Sequence, residues 1–483
     1  MKVDAGLRRL ALRTMLASFP GPSAPDWATE LVAEGLAGHV LFGYNVVDRP
    51  QLAALTTQLR AARADVVIGI DEEGGDVTRL AHREGSPYPG NAALGLVDDV
   101  DLTRRVYRAI GTELAEVGVN LDIAPTVDVN TSDDNPVIGT RSFGADPVRV
   151  AAHAAAAVTG LQEVGVAACA KHFPGHGATV ADSHVELPTV HATLDLLRTR
   201  ELPPFAASFA AGTRAIMTAH IRVPALTRDA PATFSRTALV DLLRDELGFT
   251  GVVITDALEM RGSTDHAGGV PQAAVLALAA GCDLLCLGAR VDAALVEATA
   301  AAIVAAVDDG RLPLSRVEQA AERSAALPAS SGRDSGFSVD DRGIGYPAAR
   351  GAVRVEGSVD GLATPLVVQL ESEASIAVGR VPWGLGPHLD GTEQLRAVPA
   401  HLDPPGLVTR AAGRPIVFVG RNVHRLPDAA ALVEAVAATY PVVLLEMGWP
   451  SSWRPRHVRA FVTTHGASHA NGRAAAEALG LAA

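Results

Sequence analysis

Five short apolar runs in this sequence each end in ionisable side chains. Val66-Val67-Ile68-Gly69-Ile70 runs into Asp71-Glu72-Glu73-Gly74-Gly75, Leu121-Asp122-Ile123-Ala124-Pro125 leads to Asp128, and Ala168-Cys169-Ala170 runs into Lys171-His172. Ile216-Met217-Thr218-Ala219 ends at His220, and Val252-Val253-Ile254-Thr255 at Asp256. Taken singly, a strand-end Asp is commonly the cap of the next helix, and a lone His is commonly a satisfied neighbour. Repeated in five runs, the pattern predicts one mouth lined with carboxylates, imidazoles and an ammonium, the equipment of proton transfer and nucleophilic attack. After the third run comes Phe173-Pro174-Gly175-His176-Gly177-Ala178-Thr179-Val180-Ala181-Asp182-Ser183-His184, too rich in Gly for a helix and placed to move over the mouth. Asp182 and His184 stand two apart, so the carboxylate can orient the imidazole, raise its pKa and make it a proton donor near neutrality.

Those residues need strands to carry them. Short β-type runs recur between long Ala/Leu-rich segments of helical period, at Arg13–Phe19, His39–Phe42, Val66–Asp71, Asn120–Pro125, Ala167–His172, Ala215–His220, Val252–Asp256 and Asp283–Leu287. Eight such units predict an α/β fold that opens with a TIM-type (β/α)8 barrel, whose carboxyl strand ends build the site. Pro328–Gly345 changes texture to Pro, Ser, Gly and Asp and reads as a linker. Beyond it Pro365–Leu370, Pro415–Gly420, Val442–Glu446 and Ala460–Thr464 read as buried strands, with a helix over Asp428–Thr439 between two of them. The expected division is a barrel at 1–330, a linker at 331–345 and a smaller α/β domain at 346–483. In that domain Trp449 and Trp453 read as core, and His465-Gly466-Ala467-Ser468-His469 as an exposed loop.

Composition narrows the partners. Against 54 Asp+Glu stand 41 Lys+Arg, a formal charge of −13, which argues against a nucleic-acid partner. Hydrophobic residues at 48% and charged residues at 20% are ordinary globular usage. Cys169, Cys282 and Cys286 lie in apolar runs and make neither a disulfide framework nor a thiol ligand set. Arg8, Arg9 and Arg13 interrupt what would be the apolar core of a signal peptide, and no run approaches the ~20 apolar residues of a membrane span. A cytoplasmic protein with no membrane partner is expected.

Lys171-His172-Phe173-Pro174-Gly175-His176-Gly177 followed by Asp182-Ser183-His184 resembles glycoside hydrolase family three, and within it the β-N-acetylglucosaminidase branch. Four further segments agree in order: Asp71-Glu72-Glu73-Gly74-Gly75 with Arg79, Asn135-Pro136-Val137-Ile138-Gly139-Thr140-Arg141-Ser142-Phe143-Gly144, Thr218-Ala219-His220, and Ile254-Thr255-Asp256-Ala257-Leu258-Glu259-Met260. The resemblance covers residues up to about 330 and implies, for the rest, the α/β sandwich that some members append. It implies a retaining, two-step displacement in which Asp256, at the nucleophile position, forms a covalent glycosyl-enzyme. His184 matches the family's histidine acid/base, with Asp182 as its partner. Asp71, Arg79, Arg141, Lys171 and His172 match positions that hold the sugar, where charge-assisted bonds orient the ring before attack. The substrate implied is a small carbohydrate, a terminal β-N-acetylglucosaminide of cell-wall or chitin fragments, with no metal and no organic cofactor. The sequence departs from the pattern at Glu72, where the family usually has Gln, and at Asp76, where it has Arg; no ligand role is carried to either. His176 reads as a loop-stabilising residue at least as well as a catalytic one.

A histidine acid/base has a consequence for the acceptor. A carboxylate in that place would be ionised after the first step, and like charges ~4 Å apart repel by about 4 kcal/mol at an effective dielectric near 20. A neutral imidazole imposes no such penalty, so inorganic phosphate is an admissible co-substrate. The alternatives are a β-N-acetylglucosaminide phosphorylase, a mixed β-glucosidase/N-acetylglucosaminidase and, outside that chemistry, a zinc hydrolase using His172, His176, His184 and His220 with an Asp. A non-catalytic sugar-binding protein is a further reading, against which the joint presence of Asp256, Asp182 and His184 argues.

Overall fold

The structure is a computed structural model that describes residues 4–327, 341, 343–372 and 374–482. Most of the expected linker, residues 331–340 and 342, lies outside the described residues. The chain divides into two compact units, one taking in 1–72, 103–129 and 145–338 and the other 73–102, 130–144 and 339–483. The segments that leave the third and fourth strands therefore belong to the second unit.

The first unit is the expected barrel. Its strands are β1 (Met15–Ala17), β2 (Gly38–Leu41), β3 (Val67–Ile70), β4 (Leu121–Asp122), β5 (Ala167–Phe173), β6 (Ala215–Thr218), β7 (Val252–Ile254) and β8 (Leu285–Cys286). They run β7-β6-β5-β4-β3-β2-β1-β8 with parallel neighbours, and the Ile254–Leu284 bridge brings β7 to β8. Alternate strand residues fill the interior, among them Leu16, Val40, Val67, Leu121, Ala167, Cys169, Ala215, Met217, Val252, Ile254 and Cys286. The intervening residues pack under the helices, which is why both faces of each strand read as apolar. Helix starts are fixed by short acidic side chains: Asp48, Asp146 and Asp292 accept backbone N–H bonds at the starts of Arg49–Ala62, Pro147–Glu163 and Ala293–Asp308. At the start of the β8 segment, the fully buried Asp283 takes Arg244 at 2.6 Å, Arg316 at 2.5 Å and Arg323 at 3.2 Å.

The second unit holds a six-stranded sheet made of β9 (Arg354–Gly357), β10 (Leu366–Leu370), β11 (Gln394–Ala397), β12 (Ile416–Gly420), β13 (Val442–Glu446) and β14 (Ala460–Thr463). Its order is β11-β10-β12-β13-β14-β9, parallel except for β9. One face packs Val368, Phe418 and Leu444 against Leu407, Leu432 and Val436 of two helices, Pro404–Ala411 and Pro427–Ala437. The other packs Val367, Val417, Val443 and Val462 against Ala475 and Ala476 of His469–Ala478. The four strands expected from sequence are the central ones. The edge strands β9 and β11 carry Arg, Glu and Gln on exposed positions, so no apolar run marks them.

The expectation of an exposed loop at His465–His469 is corrected. His465, Ala467 and Ser468 are buried, the Thr464 hydroxyl donates to the Gly466 carbonyl at 2.7 Å, and Asn471 Nδ2 donates to the Thr464 carbonyl at 3.1 Å. These bonds fold the segment inward, and burial pushes the His465 pKa down to about 4. Trp453 packs against the sheet core as expected, whereas Trp449 donates its indole N–H to Asp133 at 3.3 Å.

Candidate active site

The carboxyl ends of the barrel strands carry the residues singled out above. Asp71 follows β3, and its carboxylate takes Lys171 Nζ from β5 at 2.8 Å, the lysine side chain being 2% exposed. An ammonium so buried needs that partner to stay charged. The next residue, His172, donates Nδ1–H to Asp128 Oδ2 at 2.7 Å. Because a carboxylate only accepts, this bond fixes which ring nitrogen carries the proton. Asp128 Oδ1 also receives the His176 backbone N–H at 2.6 Å, so one carboxylate ties the end of β4 to the loop after β5. Burial works to raise the Asp128 pKa, but His172, His176 and their bonds outweigh it and hold the carboxyl below its ordinary value.

The loop is ordered by its own polar groups. His176 Nδ1 meets the Thr179 hydroxyl at 2.7 Å and Nε2 the Ser183 hydroxyl at 3.1 Å. Burial pushes the His176 pKa down to about 4, so it sits there as a neutral strut. Gly175 turns with φ +125°, and a Cβ there would come within 2.7 Å of Glu201 Oε2, so only glycine fits both the conformation and the space. Further along, Asp182 Oδ1 accepts His184 Nδ1–H at 2.6 Å and the His184 backbone N–H at 2.9 Å. Burial acts to raise the Asp182 pKa, and the hydrogen bond and charge of His184 overcome it, leaving the carboxyl depressed.

This loop is fastened to the segment that follows β7. Gly262 N–H donates to the Ser183 carbonyl at 3.2 Å and Arg261 N–H to the His184 carbonyl at 3.4 Å. A Cβ on Gly262 would stand 3.0 Å from the Ser183 carbonyl oxygen and 3.1 Å from His220 Cβ, so the contact depends on glycine. Asp256 opens the same segment, and its Oδ1 accepts the Ala257 N–H at 2.8 Å. Burial acts to raise the Asp256 pKa, but the nearby His220, His172 and His184 and that N–H hold it below the usual value, which favours the ionised form. His220 donates Nε2–H to the Ala257 carbonyl at 3.0 Å and meets the Thr233 hydroxyl with Nδ1 at 2.8 Å; burial lowers its pKa.

The barrel thus brings together Asp71, Lys171, His172, Asp182, His184 and Asp256. Arg79 and Arg141 belong to the second unit. There Arg141 forks onto Glu73 through Nε at 2.9 Å and Nη2 at 2.7 Å, with both side chains buried. Arg79 donates to the Ala377 carbonyl at 2.8 Å. Asp76, one of the two departures from the family pattern, serves the structure: it accepts the Thr140 hydroxyl and the Ala467 N–H, each at 2.7 Å. Glu72, the other, is buried beside Asp122, which accepts its N–H at 3.0 Å and whose pKa burial raises well above the ordinary value.

Sequence reasoning named Asp128 as a strand-end carboxylate but gave it no role, quoted Thr179 and Ser183 within the loop without seeing their bonds to His176, and did not name Glu201. Asp128 was findable, since a carboxylate at one strand end beside a His-bearing end of the next is a natural pair. Among the described residues no group of three or more His, Cys, Asp or Glu is arranged to hold a metal ion. The histidines of the zinc reading are instead bonded to Asp128, Asp182, hydroxyls and a backbone carbonyl.

Residues 15–327 match the Glycosyl hydrolase family 3 N terminal domain. The chain belongs to glycosyl hydrolase family 3. The matched region contains every site residue expected from the sequence, Arg79 and Arg141 included, and stops before the second sheet. Among relatives, a beta-hexosaminidase from Stenotrophomonas maltophilia (strain K279a) is 41% identical over 280 residues, covering 56% of this chain and 81% of its own. Beta-hexosaminidase A from Pseudoalteromonas piscicida is 39% identical over 264 residues, 50% of this chain and 44% of that protein, so the chain matches less than half of that relative. Among solved family 3 structures, a beta-N-acetylglucosaminidase from Paenibacillus sp. str. FPU-7 has a TM-score of 0.88 at 32% identity, covering 99% of this chain and 97% of that one. Beta-glucoside phosphorylase BglX, at 18% identity and a TM-score of 0.78 over 98% of this chain and 91% of its own, shares the fold.

Proposed function

We propose that this family 3 protein is a retaining exo-β-N-acetylglucosaminidase. One observation carries the reading: the 2.6 Å Asp182–His184 pair stands in a loop that is hydrogen-bonded to the segment opened by Asp256. A proton donor and an ionised carboxylate held on neighbouring segments are what a two-step displacement needs. In the first step an Asp256 oxygen bonds to C1 of the sugar as the C1–O bond to the leaving group breaks. The imidazolium of His184 gives its proton to the departing oxygen. In the second step neutral His184 takes a proton from water, the water oxygen bonds to C1, and Asp256 leaves as a carboxylate. Two inversions give net retention. In this reading Asp71, Lys171 and His172 hold the sugar hydroxyls, a role supported by the Asp71–Lys171 pair and by the Asp128 bond that orients His172. The proposed substrates are cell-wall or chitin fragments in the cytoplasm.

The relatives' names support the acetamido sugar, since beta-hexosaminidases and a beta-N-acetylglucosaminidase stand among them. Release of 4-nitrophenol from the β-N-acetylglucosaminide, with the β-anomer of the free sugar formed first by NMR, is the expected result. No release at high protein concentration would favour a sugar-binding protein, and first-formed α-anomer would reject retention. The reading of phosphate as an acceptor rests on the imidazole, which carries no charge when it must accept a proton. Sugar 1-phosphate appearing in phosphate buffer would establish it. A product ratio unchanged up to tens of millimolar phosphate would reject it.

A further inference from the structure

Tyr44 is 45% exposed in the turn that follows β2, on the carboxyl rim of the barrel that also carries Asp71 and Asp256. Its ring lies on Phe42, with centroids 5.5 Å apart and 19° between planes. Its hydroxyl donates to the Ala289 carbonyl at 2.8 Å, in the segment after β8. The turn beneath is rigid. Buried Asn45 donates to the carbonyls of Phe19 at 2.8 Å and Gly21 at 2.7 Å, and accepts the Phe42 N–H at 2.9 Å. Phe42 in turn packs against the interior barrel cluster on which Ala257, the neighbour of Asp256, also rests. An exposed aromatic ring fixed at its hydroxyl, at its backbone and across one face loses little freedom when something covers its other face.

We propose that Tyr44, seated on Phe42, is the stacking platform for the sugar ring on the leaving-group side of the scissile bond. The inference rests on the exo-glycosidase reading and names the aglycone that reading leaves open. A pyranose presents a face of C–H groups, which pairs with an aromatic face, and its hydroxyls stay wet at the rim. The reacting sugar must bring C1 to Asp256, which is half-buried beside His220, His172 and His184 and less exposed than Tyr44. A ring on the rim meets the part of the substrate that protrudes, and in an exo-acting enzyme that part is the leaving sugar.

The test compares two substrates of the full-length protein: the β-1,4-linked disaccharide of N-acetylglucosamine, and β-N-acetylglucosaminyl fluoride, whose leaving group has no ring. Tyr44→Ala is expected to lower kcat/KM on the disaccharide about three- to tenfold more than on the fluoride, chiefly through KM. Tyr44→Phe keeps the ring and should retain most of the disaccharide preference. Equal losses on the two substrates, no loss on either, or Tyr44→Phe as damaging as Tyr44→Ala would each overturn the inference while leaving the proposed function standing. A wild-type protein inert to both substrates would overturn the proposed function and this inference with it.

Discussion

Replacing Asp182 with Asn removes a charge and keeps a shape. The asparagine oxygen can still accept the two bonds that Asp182 Oδ1 now takes, from His184 Nδ1 at 2.6 Å and the His184 backbone N–H at 2.9 Å. A charge-assisted hydrogen bond contributes about 1.5–3 kcal/mol and a neutral one about 0.5–1.5, so the bond alone loses about 1–1.5 kcal/mol. The Coulomb attraction sets a ceiling of about 4 kcal/mol at ~4 Å and an effective dielectric near 20. The side chains of His184 and Asp182 are 20% and 18% exposed, so water screens part of that ceiling. A loss of about 2 kcal/mol, roughly thirtyfold in kcat/KM, is expected for substrates with poor leaving groups. Its pH dependence has a definite sign. Burial pushes the Asp182 carboxyl up, the bonded imidazole pulls it further down, and coupling between two groups is reciprocal, so the carboxylate favours the protonated imidazole. Without it the proton donor is lost sooner, and the alkaline limb of kcat/KM moves to lower pH. A dinitrophenyl glycoside, which needs no proton, should show a much smaller glycosylation defect. An unmoved alkaline limb together with less than threefold loss on the disaccharide would refute the reasoning.

Three further outcomes follow from the packing. Asp283→Ala leaves three guanidinium groups around an empty buried site and is expected to destabilise the barrel by about 3–5 kcal/mol, read as a lower urea midpoint. Gly262→Ala places a methyl 3.0 Å from the Ser183 carbonyl oxygen; activity should fall severalfold while Tm changes little, and a Tm drop matching the activity loss would show that the contact is merely structural. Burial raises the Glu201 pKa from 4.5 to about 7 against the pull of Arg200, so ionising it in the fold costs stability as pH rises through that window. The Tm of Glu201→Gln relative to wild type should therefore climb between about pH 4.5 and 7, and a constant difference would show that Glu201 does not titrate there.

The barrel was legible because its strands are buried on both faces and read as uninterrupted apolar runs, from Val67–Ile70 to Leu285–Cys286. The four central strands of the second sheet were legible for the same reason. Its edges were not, because Arg354–Gly357 and Gln394–Ala397 face solvent and carry polar side chains. At the site, the Asp182–His184 pair was readable because its partners are two residues apart. The Asp128 bonds to His172 and His176 join residues more than forty positions apart and follow only from strand neighbours. The burial of His465–Ser468 depends on bonds to Asn471 and within the loop, which no local composition announces. The assignment of Arg79 and Arg141 to the second unit was likewise beyond reach, since each sits in a loop whose packing partners come from residues far along the chain.

The central claim is that Asp256 forms the bond to C1, and it is tested most directly by trapping. A 5-fluoro analogue of the β-N-acetylglucosaminide slows both steps by disfavouring the oxocarbenium-like transition state, and a good leaving group lets the adduct accumulate. After proteolysis, mass spectrometry should find the sugar esterified to the Asp256 carboxylate. A label on any other residue would contradict the account.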